Sequence, residues 1–460
     1  KMRVIINLIV LSISFLSYGQ DTLNILGYND FIEQVMLHHP TAYRASILQE
    51  SGEASVLRSR GQFDPKMFGN MDQKYFKNNQ YYSHAQGGIK IPSWFGISAE
   101  AGYEVNEGIY LNPENRTPNS GLWYAGLRLE LGQGLVMSNR RAEFEKAKIF
   151  LQGTNVEQRL LLNELKRDAS FAYWKWNKAY QKAKVYKNAL QNGQTRFEGI
   201  KSEALYGDRP YIDTIEAYIT VQNRTTSLLQ AELNYINAEL QLEVYLWDQG
   251  FIPLELENMI PSEIEDNLNY LKQLARLDSI VENHPYLQLN DLKIQKVEID
   301  LRLKKEQLKP KLTLKYNALS EPVGNNPVAQ YSPSNYTWGA SFLYPILSRK
   351  ERGDVRLAKL KIQDQKLKNV LFESQLGYKI SSSINNYMQS AEQLLIFEQL
   401  VKNNETLYEA ERSLFGLGES SVFMINSRES KLLKATIELI EAQNKLRMLK
   451  SELDYSLMIN

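Results

Sequence analysis

Phe415-Gly416-Leu417-Gly418-Glu419-Ser420-Ser421 interrupts residues 346–460, a stretch without proline. A pattern of leucines and polar residues runs up to it, and another runs away from it. Proline inside a helix costs about 3 kcal/mol, so its absence here permits two long helices. The glycines offer the positive-φ positions that end the first helix, and Ser420 or Ser421 can cap the second. The stretch predicts a long antiparallel helical hairpin with a tight tip.

The same unit occurs earlier. Residues 119–209 and 211–252 lack proline, and Leu205-Tyr206-Gly207-Asp208-Arg209-Pro210 lies between them, with Pro210 suited to the first turn of a new helix. Further landmarks repeat in series. His39-Pro40 and His284-Pro285 open the two halves, and Pro65 and Pro310 each follow 25 positions after the first proline. From Ala147 to Gly207 is 60 positions, as it is from Ala358 to Gly418. Leu246 and Leu457 each lie 39 positions beyond the tip glycine. One interval differs: Pro65 to Ala147 is 82 and Pro310 to Ala358 is 48, so the first half carries 34 extra residues. Duplication explains such a series. The expected division is 20–250 for the first repeat, 251–283 for a linker and 284–460 for the second repeat.

At 460 residues the usual expectation is two to four compact domains, but the repeat argues for one extended protein in two halves. A formal net charge of +1 implies no nucleic acid or other polyanionic partner. No cysteine is present, so there is neither a disulfide framework nor a thiolate metal site. The 4 histidines show no metal-ligand spacing, and His39 and His284 read as helix-start residues before proline. Lys1-Met2-Arg3, an apolar run from Val4 to Leu16, and small Ser17 and Gly19 predict a signal peptide over residues 1–19. No cysteine stands near residue 20 for lipid attachment. No other segment is apolar enough for a membrane helix, so insertion into a bilayer must use strands.

Those strands are visible. Ile97, Ala99, Ala101, Tyr103 and Val105 alternate with Ser98, Glu100, Gly102 and Glu104; Trp123, Ala125, Leu127, Leu129 and Leu131 alternate with Tyr124, Gly126, Arg128 and Glu130. Less clean strands are expected over 66–76 and 84–91. In the second half, Leu312, Leu314, Tyr316 and Ala318 form one alternating set, and Tyr336, Trp338, Ala340, Phe342 and Tyr344 form another. Polar loops are expected at 107–121 and 321–335. Strands of about ten residues rich in Tyr and Trp suit an outer-membrane barrel. A soluble sandwich is the alternative; export and the shortage of other core favour the membrane.

Each strand set feeds a descending helix, 138–206 and 350–415, roughly 100 Å long if continuous at about 1.5 Å per residue. The ascending arms, 210–247 and 420–457, are shorter, so helices 41–60 and 286–308 are expected to cover the remainder. In the linker, 251–254 and 259–261 suggest extended pieces and 266–282 a small helix, at mid-height on the hairpins. A barrel needs about eight strands to close; two or four strands from one half and two from the other do not suffice, and an open edge in lipid leaves costly unpaired N–H and C=O groups. Sister chains must therefore complete it. The fold class expected is a membrane β-barrel continued by a long α-helical coiled-coil barrel, made of two strand–strand–hairpin repeats per chain.

These features resemble the TolC-like outer membrane factor family, over almost the whole mature chain. The resemblance rests on the duplicated His-Pro starts, the two strand-then-long-helix units and the paired glycine-led tips. It implies a homotrimer with a twelve-stranded barrel, four strands per chain, and a twelve-helix periplasmic tube. It also implies an inner-membrane pump and a periplasmic adaptor, or membrane fusion protein, docking at the tips. The family commonly has an aspartate six positions after each tip glycine; Asp213 fits and Met424 does not. The 34 extra residues depart from the pattern and are expected to form a hairpin, about 78–110, above or beside the barrel, with eighteen strands as the other option.

The expected function is a passive exit duct of a tripartite efflux pump or type I secretion system in the cell outer membrane. The alternative is a periplasmic coiled-coil scaffold or adaptor with a soluble β-domain. No catalytic, cofactor or metal constellation is visible, so no enzyme and no cofactor are expected. Carboxylates on the long helices read as a solvated face. The candidate residues lie at the tips: Gly207, Asp208, Arg209 and Asp213 at 207–213, and Gly418, Glu419 and Ser421 at 416–424, with Asn426 and Arg428 just beyond. Asp213 has two readings, a gate or adaptor contact, or an acidic residue favouring the positive end of its helix. Arg209 and Arg428 are candidates to pair with tip carboxylates.

Overall fold

The computed structural model describes residues 24–256, 258–262 and 284–458. The expected signal peptide and the small helix at 266–282 lie outside them. The chain divides into two compact units. One comprises 1–39, 168–267 and 390–448; the other comprises 40–167, 268–389 and 449–460.

The second unit holds the sheet. Helix α2 (Pro40–Arg60) leads to β2 (Lys66–Phe76), β3 (Asn79–Pro92), β4 (Ile97–Glu107) and β5 (Leu122–Gly132); α5 (Pro285–Glu306) leads to β9 (Lys311–Ser320) and β10 (Tyr336–Leu343). All six strands form one antiparallel sheet in the order β10-β9-β5-β4-β3-β2. The resemblance implied four strands per chain, and the 34 extra residues are expected as a hairpin above or beside the barrel, with six strands per chain as the other option. Instead the hairpin β3–β4 is hydrogen-bonded into the sheet between β2 and β5. The physical reason is that β3, although Gly87-Gly88 interrupts its alternation, still pairs from Ser83 to Lys90 with both neighbours.

The register sorts the side chains. Met67, Ile89, Ala101, Ala125, Ala318 and Tyr336 fall in one row across the six strands. Two residues along lie Ile91, Ala99, Leu127, Tyr316 and Trp338. The opposite face carries Lys90, Glu100, Glu104, Arg128, Lys315 and Asn317. Met67, Met71, Leu127, Trp338 and Phe342 are well exposed. No second sheet of comparable size covers them among the described residues. The sheet of one chain is open, with β2 and β10 as its edges.

In the same unit, α2 and α5 pack on the first part of α3 (Asn139–Leu205). Val56 joins Phe144 and Ala147, and Ile299 joins Met137 and Ala142. Gly52 permits a close crossing, since a Cβ there would meet Thr154 and Leu151 at 2.8–2.9 Å.

The first unit is built on the remaining helices. α1 (Tyr28–His38) lays Phe31 and Val35 against Tyr173, and Tyr28 stacks on Trp174 at 4.7 Å. The Tyr173 hydroxyl donates to the Leu26 carbonyl at 2.8 Å. That ties α3 to β1 (Asn24–Leu26), which pairs in parallel with β8 (Met259–Pro261). β6 (Trp247–Asp248) pairs with β7 (Ile252–Pro253). The hairpins themselves are α3 with α4 (Tyr211–Glu243), and α6 (Arg349–Gly416) with α7 (Val422–Leu457). No described helix is long and apolar enough to cross a membrane.

Candidate functional site

Both tips end their descending helix the same way. Gly207 takes φ +86° and Gly418 takes φ +78°, the left-handed conformation glycine adopts without strain. The N–H of Asp208 donates to the Glu203 carbonyl at 3.0 Å and that of Gly207 to Ala204 at 3.2 Å. The N–H of Glu419 donates to Leu414 at 2.9 Å and that of Gly418 to Phe415 at 3.1 Å. Two paired bonds of these spans make a Schellman motif, which satisfies carbonyls the helix end would leave free.

The ascending helices start differently. Ser421 is the cap of α7: its Oγ accepts from the Met424 N–H at 3.2 Å. Pro210 stands one position earlier than expected, as the N-cap of α4 without a side-chain cap bond. Asp213 lies in the first turn of α4, where the helix dipole favours it.

Arg209 pairs with Glu203, approaches Asp213 at 3.9 Å and lies over the Phe415 ring at 4.5 Å. It therefore joins the two tips as well as its own helix. Arg428 approaches Glu411 at 3.6 Å, and the Ser420 hydroxyl also donates to Glu411. Asp208 and Glu419 are exposed. Beneath the tips, Ile200, Ala217 and Val422 form a small core with Phe197 and Phe415 against it.

Sequence reasoning missed a cluster of buried charges. Arg224 of α4 donates to Glu429 of α7 at 2.6 and 3.3 Å and to the Ala189 carbonyl of α3 at 2.8 Å. Arg196 of α3 pairs with the same Glu429, donates to Asn426 at 2.9 Å and reaches the Tyr408 hydroxyl of α6 at 3.4 Å. Three helices thus meet on one carboxylate and α6 joins them through Arg196, with Arg224 and Glu429 only 5% and 8% exposed. Gly193 makes room: a Cβ there would stand 2.9 Å from the Arg224 guanidinium. A signal was present in α4, where Ala217, Arg224, Ala231 and Ala238 recur at intervals of seven and all are buried. Glu411 and Glu429 correct the reading of the helical carboxylates as a solvated face, because both are buried, one beside Arg428 and Ser420 and the other beside Arg224 and Arg196.

The arrangement can fasten helices together and present charge, but nothing in it resembles a catalytic set. Among the described residues no group of three acidic or histidine side chains is placed to hold a metal ion. Beside the first tip, Phe197, Leu205, Tyr211, Ile215 and Tyr218 line an open apolar groove of about 390 Å³.

No protein-family model matches the chain, and no curated protein matches it. Solved structures do. The outer-membrane channel OprN superposes with a TM-score of 0.72 at 12% identity, over 94% of this chain and 90% of that one. The open state of the MtrE outer membrane channel of Neisseria gonorrhoeae gives 0.69 at 11%, over 94% and 88%. The outer membrane protein VceC of Vibrio cholerae gives 0.65 at 12%, over 94% and 95%. At such identities the likeness is one of fold: this chain has the fold of outer-membrane channels.

Proposed function

We propose that this chain is a TolC-like outer membrane channel, a passive exit duct through which an inner-membrane pump expels cargo. Its sheet stands in the outer membrane and its hairpins in the periplasm. It assembles as a homotrimer and meets a periplasmic adaptor at the tips. The observation that carries this reading is the open six-stranded sheet, with most of its apolar side chains on one face and most of its charged ones on the other. Such a face is stable against lipid, and its free edges are stable only when other chains pair with them.

The helices point the same way. Leu229, Leu233, Ile236 and Leu240 form an exposed stripe along α4, at the spacing of a helix that meets a neighbour. The adaptor is assigned to the tips, where Tyr206, Tyr211, Ile212, Leu417 and Phe423 are exposed beside charged Asp208 and Glu419. Drug efflux and type I secretion share this design, since cargo is selected upstream.

The test is purification from membranes followed by native mass measurement and reconstitution into planar bilayers. The expected result is a detergent-requiring trimer that conducts ions. A monomer soluble without detergent and without pore activity would sink the reading and favour a periplasmic scaffold.

A further inference from the structure

We infer that all six strands of each chain enter the membrane wall, β2 of one copy pairing with β10 of the next, so that three copies close an eighteen-stranded barrel. The inference rests on the trimeric duct proposed above and concerns the width of its outlet.

Three observations carry it. The first is the face pattern of the inserted hairpin. Ala85, Ile89 and Ile91 of β3 and Ala99, Ala101, Tyr103 and Val105 of β4 lie on the apolar face shared with Leu127 and Leu129. Gln86, Lys90, Glu100 and Glu104 lie on the polar face with Arg128 and Glu130. A hairpin standing in water above the membrane would have no use for a continuous apolar side. One set into the wall requires it.

Strand direction is the second. Each of the five pairs is antiparallel, so the edge strands β2 and β10 run in opposite directions. Edge-to-edge pairing between copies is then antiparallel too, and the ring closes with an even number of strands. The contact is head-to-tail, which is how a rotational ring is built.

The third is the stagger. Lys66, where β2 begins, lies in one row with Lys90, Glu100, Gly126, Asn317 and Thr337. At the far side of the sheet the corresponding end is Leu343, opposite Lys311 and six residues beyond Thr337. Six residues at about 3.3 Å, set against five strand spacings of about 4.8 Å, give a slant of roughly 40°. Closure of a barrel demands a tilt of about 35–45°. The slant builds up on the side of the sheet that contains β3 and β4, so the insertion belongs to the same closing geometry. With that tilt and spacing, eighteen strands enclose roughly 36 Å between backbones, against roughly 24 Å for twelve. Walls of about that strand number leave a water-filled lumen, so the outlet suits a bulky, hydrated cargo.

The cysteine-free chain makes the test direct. Asp72→Cys on β2 combined with Thr337→Cys on β10, and Asn70→Cys combined with Ser341→Cys, place thiols on the polar face of the two edges. On oxidation of the reconstituted protein, at least one pair should convert most monomer into covalent dimers and trimers. Separately, nitroxides at Ile89→Cys and Ala101→Cys should relax with oxygen dissolved in lipid. Those at Gln86→Cys and Glu104→Cys should relax with a water-soluble nickel chelate. A native trimer that conducts but gives water access at all four label positions overturns the eighteen-strand wall and leaves the duct standing. So does a conducting trimer with no linkage between β2 and β10. A protein that remains monomeric in detergent overturns the duct itself.

Discussion

At the first tip Gly207 returns the chain with Asp208 bonded to Glu203, and at the second Gly418 does so with Glu419 bonded to Leu414. The backbone bonds that end the descending helices are repeated, yet the side chains around them are not. Arg209 spans Glu203, Asp213 and the Phe415 ring at one tip, while Arg428 and Ser420 converge on Glu411 at the other. Duplication has kept what the turn needs, a residue free to take positive φ, and has let the charges diverge. The most enclosed carboxylate on which both hairpins depend is Glu429, held by Arg224 and Arg196.

The largest effect is therefore expected there. Glu429→Ala leaves two guanidinium groups with no carboxylate in a buried contact, a loss of about 3–5 kcal/mol. The thermal unfolding temperature of the purified protein should fall accordingly, with amide exchange rising at both tips. Glu429→Gln, which still accepts hydrogen bonds, should lie between. A melting temperature unchanged by the alanine variant would mean that the hairpins are held by their apolar core alone.

The glycines sharpen the comparison. A methyl group added at Gly207 or Gly418 meets nothing within 4 Å, so the cost is that of the left-handed backbone alone. Gly207→Ala and Gly418→Ala should each lose about 1–2 kcal/mol, by equal amounts. Unequal losses in parallel denaturation curves would show that one turn relaxes to another conformation and that the match is superficial.

What the residues reveal in advance follows the range of the interaction. Tips, helix ends and period-two strands are local, so α6 begins one residue from where the pattern places it and Ser421 caps α7 as expected. The six-stranded sheet was harder to read, because Gly87-Gly88 breaks the alternation of β3 and register depends on its neighbours. The Arg224–Glu429 contact was harder still. Burial of a charge depends on which faces four separate helices share, and only the interval of seven in α4 hinted at it. The aromatic group of Tyr28, Tyr173 and Trp174 likewise depends on α1 returning to α3, which no local pattern encodes.

The openings of the two halves form a second pair. His284 caps α5: its Nδ1 accepts from the Tyr286 N–H at 3.3 Å, so its Nε2–H is left to donate to the Ser456 carbonyl at 3.2 Å. His39 ends α1 and stacks near Tyr245. Burial holds both imidazoles below their ordinary value of 6.5, with Lys379 adding to the effect at His284. The unfolded chain therefore takes up protons first as pH falls below about 6.5, and stability is lost from there down to the folded values. Protonated Nδ1 could no longer accept from Tyr286, so His284→Asn, which keeps a cap, should flatten the melting temperature between about pH 5 and 7. An unchanged slope would place the acid sensitivity elsewhere.

The smallest expected change in stability is at Asp213, and it is the one that bears on gating. Its approach to Arg209 at 3.9 Å is partly exposed, so Asp213→Ala should cost at most about 1 kcal/mol. In the proposed trimer, however, three copies come close to the axis, where like carboxylates attract cations and repel one another. Met424 stands at the equivalent place on the second tip, so the ring has three carboxylates and no second set. Single-channel recordings should then show Asp213→Ala with higher conductance or a weaker preference for cations, while Met424→Ala leaves both near the parent value. Equal currents from the parent and Asp213→Ala would assign Asp213 to the helix start alone, and the two tips would differ in sequence without differing in what they do to the ions passing them.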